Sequence, residues 1–272
     1  YSTSFGNADE MGVRLPKDIE AGPVHHMIHI ESLPSFFKGY LGWTLSEPLH
    51  PVDWLTFTEQ KLLTVTRGRV FHDGLGQLEP LREQLRYYPH DIWLYLLAAQ
   101  WQRINQEQAF MGRCGQVGDD LGSRLIAARL VRDLMRLGFL MERQYAPYSK
   151  WFGTAFAELA CAQTLIPIFT RVLQANTWQE REEHLSAAHE CVARMHNTLQ
   201  ITAPLPTDVS PYHSRPFLVI HAEGFVQAIR AAITDEEVRK LPEHLGSVDQ
   251  FVDSTDALNR PQRFKPIYAP KE

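Results

Sequence analysis

The stretch DIWLYLLAAQWQRI (residues 91–104) decides the fold. Its apolar residues recur at three- and four-residue intervals, and neither glycine nor proline interrupts them. That pattern predicts a helix with a wide apolar face, built to lie against other helices. Pro89 stands just ahead of it, where a first helical turn accepts proline.

Reading outward, helical periodicity returns three more times. A long helix is predicted over 121–143, another over 151–175 with a bend near Pro167, and a third over 178–199. The segment WFGTAFAELACAQTLIPIFT (151–170) approaches membrane-span length but holds Glu158 and Pro167. It reads as the buried central helix of a bundle, so no membrane span is expected. Gly-rich residues 112–122 interrupt the helices. Residues 203–216 are a Pro-rich loop, and 217–233 form either a strand leading into a helix or one helix. The tail from about 235 is mixed and ends in an irregular basic stretch.

Toward the N-terminus the character is different. Residues 1–23 read as a loop or the ragged end of something larger. VHHMIHIE (24–31) alternates like a strand, with Val24, His26, Ile28 and Ile30 on one face and His25, Met27, His29 and Glu31 on the other. A helix is predicted over 52–65, a short strand over 68–72, and a turn at Asp73-Gly74. The expected fold class is α+β, mostly α. A small α/β region occupies 1–88 and a helical bundle 89–272, with the boundary near Tyr88.

Composition limits the function classes. With 27 Lys+Arg against 32 Asp+Glu, the net charge of −5 argues against nucleic acid as a bulk partner. The three cysteines include no CxxC pair, which indicates neither a disulfide framework nor a zinc finger and fits a reducing, cytoplasmic setting. His184, His189, Cys191 and His196 share one predicted helix without HExxH spacing, and no GxSxG elbow occurs.

Four constellations could carry chemistry. On the polar strand face, Glu31 suits Mg²⁺ and its neighbour His29 a transition metal; a solvated edge strand would look the same. Arg129, Arg132, Arg136 and Arg143 form a cationic stripe on an otherwise apolar helix, which suits either a phosphate- or carboxylate-binding wall or a paired, solvated face. The glycine-bearing turn GRCGQVGDDLGS (112–123) matches no phosphate-loop spacing. Its Asp119 and Asp120 are capping residues or meet a hydroxyl or amine. In YAPYSKWFGTAF (145–156), Tyr148 can stack on a base and Lys150 can reach a phosphate, or the aromatics pack a helix junction.

Several strings together resemble an uncharacterised bacterial family that couples a nucleotidyltransferase-like domain to a helical domain of unknown function. They are DWLTFTEQKLL and GRVFHDGLGQLEPLREQLRYYPHDIWLYLLAAQW within 53–101, GRCGQVGDDLGSRLIAARLVRDLMRL (112–137), YAPYSKWFGTAF, RMHNTL (194–199), SRPF (214–217) and GSVDQFVDSTD (246–256). The resemblance implies a polymerase-β-like fold in the N-terminal region. There a Gly-Ser turn, an Asp-x-Asp pair and a later carboxylate hold Mg²⁺ for attack on a nucleoside triphosphate. The first two elements have no match before Val24, and the strand ending at Glu31 is similar to the third.

The chain, which starts at Tyr1, is therefore expected to begin partway through the catalytic domain. It would be the C-terminal portion of a Mg-dependent nucleotidyltransferase and inactive by itself, because one carboxylate cannot hold two Mg²⁺ against a triphosphate. The partners are then a nucleotide and a small-molecule acceptor. Glu31 is the metal-ligand position and His29 its neighbour. Arg129, Arg132 and Lys150 would contact phosphate or an acidic acceptor, Tyr148 a base or sugar, and Asp119 and Asp120 an acceptor hydroxyl or amine. The rival reading is a non-catalytic helical module for binding or oligomerisation.

Overall fold

A computed structural model describes residues 5–8, 14–16 and 28–269. Strands β1 (Phe5–Ala8) and β2 (Arg14–Pro16) pair antiparallel. The chain from residue 28 onward is helical apart from one short strand pair.

Four short helices come first: α1 (Leu33–Leu41), α2 (Pro51–Thr56), α3 (Glu59–Thr66) and α4 (Leu78–Gln84). Ser32 caps α1, and Gly42 ends it in the left-handed conformation that glycine adopts without strain. The expected single helix over 52–65 is two helices, because Phe57 and Thr58 are extended where Phe57 turns into the core. Residues 68–72 form no strand. Asp73 does mark a turn: its carboxylate accepts the backbone N–H groups of Gln77, Leu78 and Glu79 and so starts α4. Those bonds hold the Asp73 carboxyl below its ordinary range.

Helix α5 (His90–Glu107) is the axis of the molecule. Every residue from Ile92 to Trp101 is buried, which is more than one apolar face. It packs against α7 (Asp120–Met141) and α11 (Glu223–Ala232). Trp101 stacks on Phe225 with ring centroids 4.2 Å apart, and Trp93 donates its indole N–H to the Leu140 carbonyl at 2.7 Å. Gln100 on α5 is satisfied, whereas Trp101 Nε1 and Glu107 Oε2 on the same helix are buried without a hydrogen-bond partner among the described residues. Gln100 donates to Asp133 Oδ1 at 3.0 Å, and Gln250 donates to Gln100 Oε1 at 2.9 Å.

Between α5 and α7 lies α6 (Phe110–Gln116), where the sequence suggested a glycine-rich interruption. Its glycines serve close packing. A Cβ on Gly112 would stand 2.8 Å from Phe217 Cβ, and one on Gly115 would overlap the Trp178 side chain.

The predicted helix over 151–175 is divided. A 3₁₀ turn (Ser149–Trp151) runs into α8 (Phe152–Phe156), and α9 (Ala162–Gln174) carries Pro167 inside it. Ile166 and Leu173 remain exposed, so α9 is an amphipathic outer helix and α5 takes the central place. Helix α10 (Trp178–Thr198) starts with a capping box between Thr177 and Glu180 and packs on α9 and α7. Two of its histidines, His189 and His196, are buried, and burial pushes both imidazoles down to about 4.

The two-residue strands β3 (Ser210–Pro211) and β4 (Leu218–Val219) pair antiparallel ahead of α11. Helices α12 (Glu236–Arg239), α13 (Val248–Phe251) and α14 (Thr255–Leu258) follow, then a 3₁₀ segment (Pro261–Tyr268). That segment returns to the start of the helical part. Lys265 Nζ pairs with Asp53 Oδ1 at 2.5 Å, and Gln262 donates to the Leu41 carbonyl at 2.8 Å. One hydrophobic cluster runs from Phe37 to Tyr268 and includes residues on both sides of Tyr88. Among the described residues, no helix is long and apolar enough to cross a membrane.

Candidate functional site

Helix α3 stands between two cavities. The first, of about 490 Å³, lies between α1, α3, α7 and the α13–α14 segment. Its wall includes Tyr40, Lys61, Arg132, Arg136, Tyr148, Asp249 and Asp253. The second, of about 790 Å³, shares Tyr40 with the first and is lined by His29, Glu31, Phe36, Arg67, Arg69 and Arg82 among others.

The floor of the first cavity is an ion network. Glu59, in the first turn of α3, is almost fully buried, and its carboxylate pairs with Arg136 at 3.1 Å. Its backbone N–H donates to Asp249 Oδ2 at 2.9 Å, which ties α13 to the start of α3. Burial pushes both carboxyls up, and the Arg136 guanidinium opposes that shift at each. Arg136 also lies over the Phe152 ring, 5.5 Å from its centroid.

Lys61, two residues further along α3, has a different environment. Its Nζ donates to the Tyr40 carbonyl at 2.6 Å and sits 5.3 Å from the Tyr40 ring centroid. Burial pushes its amine below the usual lysine value. Among the described residues no carboxylate forms an ion pair with it. Tyr148 enters from the loop after α7, with its backbone N–H held by Gln60 Oε1 at 3.1 Å. At the rim, Arg132 pairs with the exposed Asp253 at 3.3 Å.

The second cavity takes its shape from Arg82. This guanidinium donates to the carbonyls of Val65 at 3.1 Å and Thr66 at 2.8 Å and closes the C-terminal end of α3. Arg67 donates to Gln144 at 3.5 Å, and Arg69 lies over the exposed Phe71 ring. Neither has a carboxylate partner among the described residues.

The structure sorts the sequence candidates. Arg132 and Tyr148 share the first cavity; His29 and Glu31 share the second. Arg129 pairs instead with Glu107 at 3.0 Å, and Lys150 is exposed beside the Trp151 ring. Asp119 accepts the Gly122 N–H at 2.8 Å as the N-cap of α7, while Asp120 bridges Arg124 at 2.7 Å and Arg181 at 3.0 Å. None of these four lines either cavity. Arg143 lies beyond the end of α7 and stacks on Trp93 at 4.1 Å. The α7 stripe is thus largely neutralised by acids from other elements. Of the cations that line the two cavities, Lys61, Arg67 and Arg69 have no carboxylate partner among the described residues, and they come from α3 and its exit, where no periodic signal marked them.

The strand expected over 24–31 falls partly outside the described residues. Residues 28–31 are irregular and exposed. Glu31 therefore does not stand on a strand. Among the described residues no group of three or more His, Cys, Asp and Glu side chains could hold a metal ion. That holds for the α10 histidines too: His189 Nε2 and His196 Nδ1 are enclosed without hydrogen-bond partners among the described residues.

A further cavity, of about 690 Å³, holds Ser210 and His221, whose Oγ and Nε2 lie 2.8 Å apart. Both are exposed, and among the described residues no carboxylate is bonded to the imidazole, so the pair lacks the orienting group an activated serine needs.

No curated protein and no solved structure matches the chain. Residues 54–152, which include Lys61, Arg67, Arg69, Arg132, Arg136 and Tyr148, match the model of an uncharacterised family described as a domain of unknown function (DUF4037).

Proposed function

We propose that this chain is the substrate-holding, mostly helical part of a nucleotidyltransferase-like protein, and that it does not transfer nucleotide by itself. One observation carries the reading. The two cavities meet at Tyr40, with Arg67, Arg69, Glu31 and His29 on one side and Lys61, Arg132 and Tyr148 on the other. A phosphate chain suits the first group, because unpaired guanidinium groups donate to phosphate oxygens in a fixed fork. A small acceptor suits the second, where Tyr148 offers a ring and a hydroxyl. Transfer between the two would need their reacting ends to come within about 3–3.5 Å of each other, at the Tyr40 edge that the cavities share.

Two measurements test this. Incubation of the chain with labelled ATP, Mg²⁺ and candidate acceptors should give no transfer, and turnover would overturn the second half of the reading. Thermal shifts with ATP–Mg²⁺, GTP–Mg²⁺ and a tRNA pool test the first half. A ligand at 100 times its dissociation constant stabilises by about 2.7 kcal/mol. A nucleotide shift that disappears in Arg67→Ala with Arg69→Ala supports the reading, and no shift with any nucleotide removes it.

A second reading has its own observation. Val117, Leu121 and Leu125 are spaced four residues apart and are 80%, 71% and 63% exposed. Leu121 and Leu125 share one face of α7 and Val117 ends α6 just ahead of them; such an exposed apolar group suits a partner surface and favours a binding or oligomerisation module. Sedimentation at rising concentration, with Leu121→Glu as the control, distinguishes it.

A further inference from the structure

We infer that the cavity between α3, α7 and the α13–α14 segment is an oxyanion site, in which Lys61 Nζ and Arg132 hold a phosphate or carboxylate group of a small molecule. The inference rests on the proposed function only in calling that molecule the acceptor.

Three observations lead to it. First, Lys61, Arg132 and Arg136 line the cavity with Asp249 and Asp253, and Glu59 beneath them matches Arg136, so the cations that face a ligand are Lys61 and Arg132. Second, the three cations differ in availability. Arg136 is committed to Glu59 in a buried pair, with both side chains mostly enclosed. Arg132 pairs at the rim with Asp253, whose side chain is 86% exposed. A pair that open to water is weak, so a ligand anion displaces it at small cost. Lys61 has no carboxylate among the described residues; one of its three N–H groups goes to the Tyr40 carbonyl, which leaves two for a ligand. Third, an ammonium withdrawn from water without a counter-ion is costly, and a bound oxyanion removes that cost. The depressed basicity of Lys61 agrees with this. Tyr148 and Ser149 add hydroxyls to the same wall, and these can donate to the remaining oxygens.

The other cavities do not offer this combination. The second cavity has unpaired Arg67 and Arg69, yet both side chains belong to its exposed edge near residues 67–71. The cavity beside Trp151 sets Arg67 against Glu142 and Glu158.

The test is titration of the full chain with orthophosphate, glycerol phosphate, succinate and, as a cationic control, putrescine, followed by thermal shift and calorimetry. At least one anion should bind saturably and putrescine should not. Phosphate compounds binding without succinate would identify a tetrahedral oxyanion, and succinate binding alone a carboxylate. Lys61→Met should weaken binding at least tenfold, and Lys61→Arg should retain most of it. Asp253→Asn should strengthen binding severalfold by releasing Arg132, a gain that a merely structural role for Lys61 or Asp253 does not produce. Absence of anion binding by the unaltered chain overturns the inference. So does equal binding by Lys61→Met and the unaltered chain, or preferential binding of putrescine. The result also separates from the nucleotide reading. Oxyanion binding without any ATP–Mg²⁺ shift keeps this site and removes that reading; an ATP–Mg²⁺ shift unaffected by Lys61→Met, without oxyanion binding, does the reverse.

Discussion

Replacing His189 by leucine should make the protein markedly less sensitive to acid. His189 is 1% exposed on α10, its Nε2 has no partner among the described residues, and burial lowers its pKa from 6.5 to about 4. Between those two pH values the unfolded chain binds more protons than the folded one, so stability is full above the unfolded value and falls as the pH drops toward 4. Integration between pH 8 and pH 5 gives a loss of about 2 kcal/mol from this one imidazole, at about 1.4 kcal/mol per pKa unit. His196, lowered to about 4 by the same cause, contributes a similar loss, so the pair accounts for about 4 kcal/mol. Set against total stabilities of about 5–15 kcal/mol, that is a large share. Leucine does not titrate and leaves no unpaired ring nitrogen, so at pH 8 the variant should lie within about 1.5 kcal/mol of the parent. The assay is urea unfolding followed by tryptophan fluorescence at pH 8 and pH 5. The difference between the two pH values should shrink by about 2 kcal/mol in the variant. Equal acid losses in parent and variant would show that the His189 proton is not excluded by burial, and the reasoning would fail.

Three further outcomes follow from the packing. Arg82→Met removes the donors that close the end of α3 and should destabilise by about 2–3 kcal/mol in urea unfolding; an effect on the scale of an ordinary surface change would contradict the closing role. Gly115→Ala places a methyl group against Trp178 and should cost about 1–3 kcal/mol, whereas the same change at Gly153, where nothing lies nearby, should cost none; thermal unfolding of the two variants compares them directly. Leu97→Ala, at a fully buried position of α5, should lower stability by about 2–5 kcal/mol, and a smaller loss would show that α5 is not the central helix.

The elements legible in the sequence were those whose periodicity is uninterrupted. Helices α5, α7 and α10 lie within a few residues of their predicted limits because their apolar spacing is set locally. Phe57 was not legible as a break, because its reason to leave the helix is a core on the far side of the chain. Gly112 and Gly115 read as a loop, since the residues that require their lack of a side chain, Phe217 and Trp178, are distant in sequence. The same distinction holds at the site. Arg132 and Tyr148 were chosen for their chemistry and share a cavity, yet their stripe partner Arg129 turned out to be occupied by Glu107. Lys61 had no signal at all. It resembles any lysine on a short helix, and only the fold places it over Tyr40 without a counter-charge.

The return of the 3₁₀ segment to the first helices bears on how the protein is made. Gln262 and Lys265 reach Leu41 and Asp53 across 221 and 212 positions of chain. During synthesis, the first helices leave the ribosome long before these partners exist. They must wait, with the Leu41 carbonyl and Asp53 unpartnered, until residues 262–265 emerge. Closing so long a loop is slow, and surfaces left open in the meantime are prone to aggregate. The nascent chain is therefore most vulnerable before residues 261–268 emerge, which is when a holding chaperone would be most useful to it.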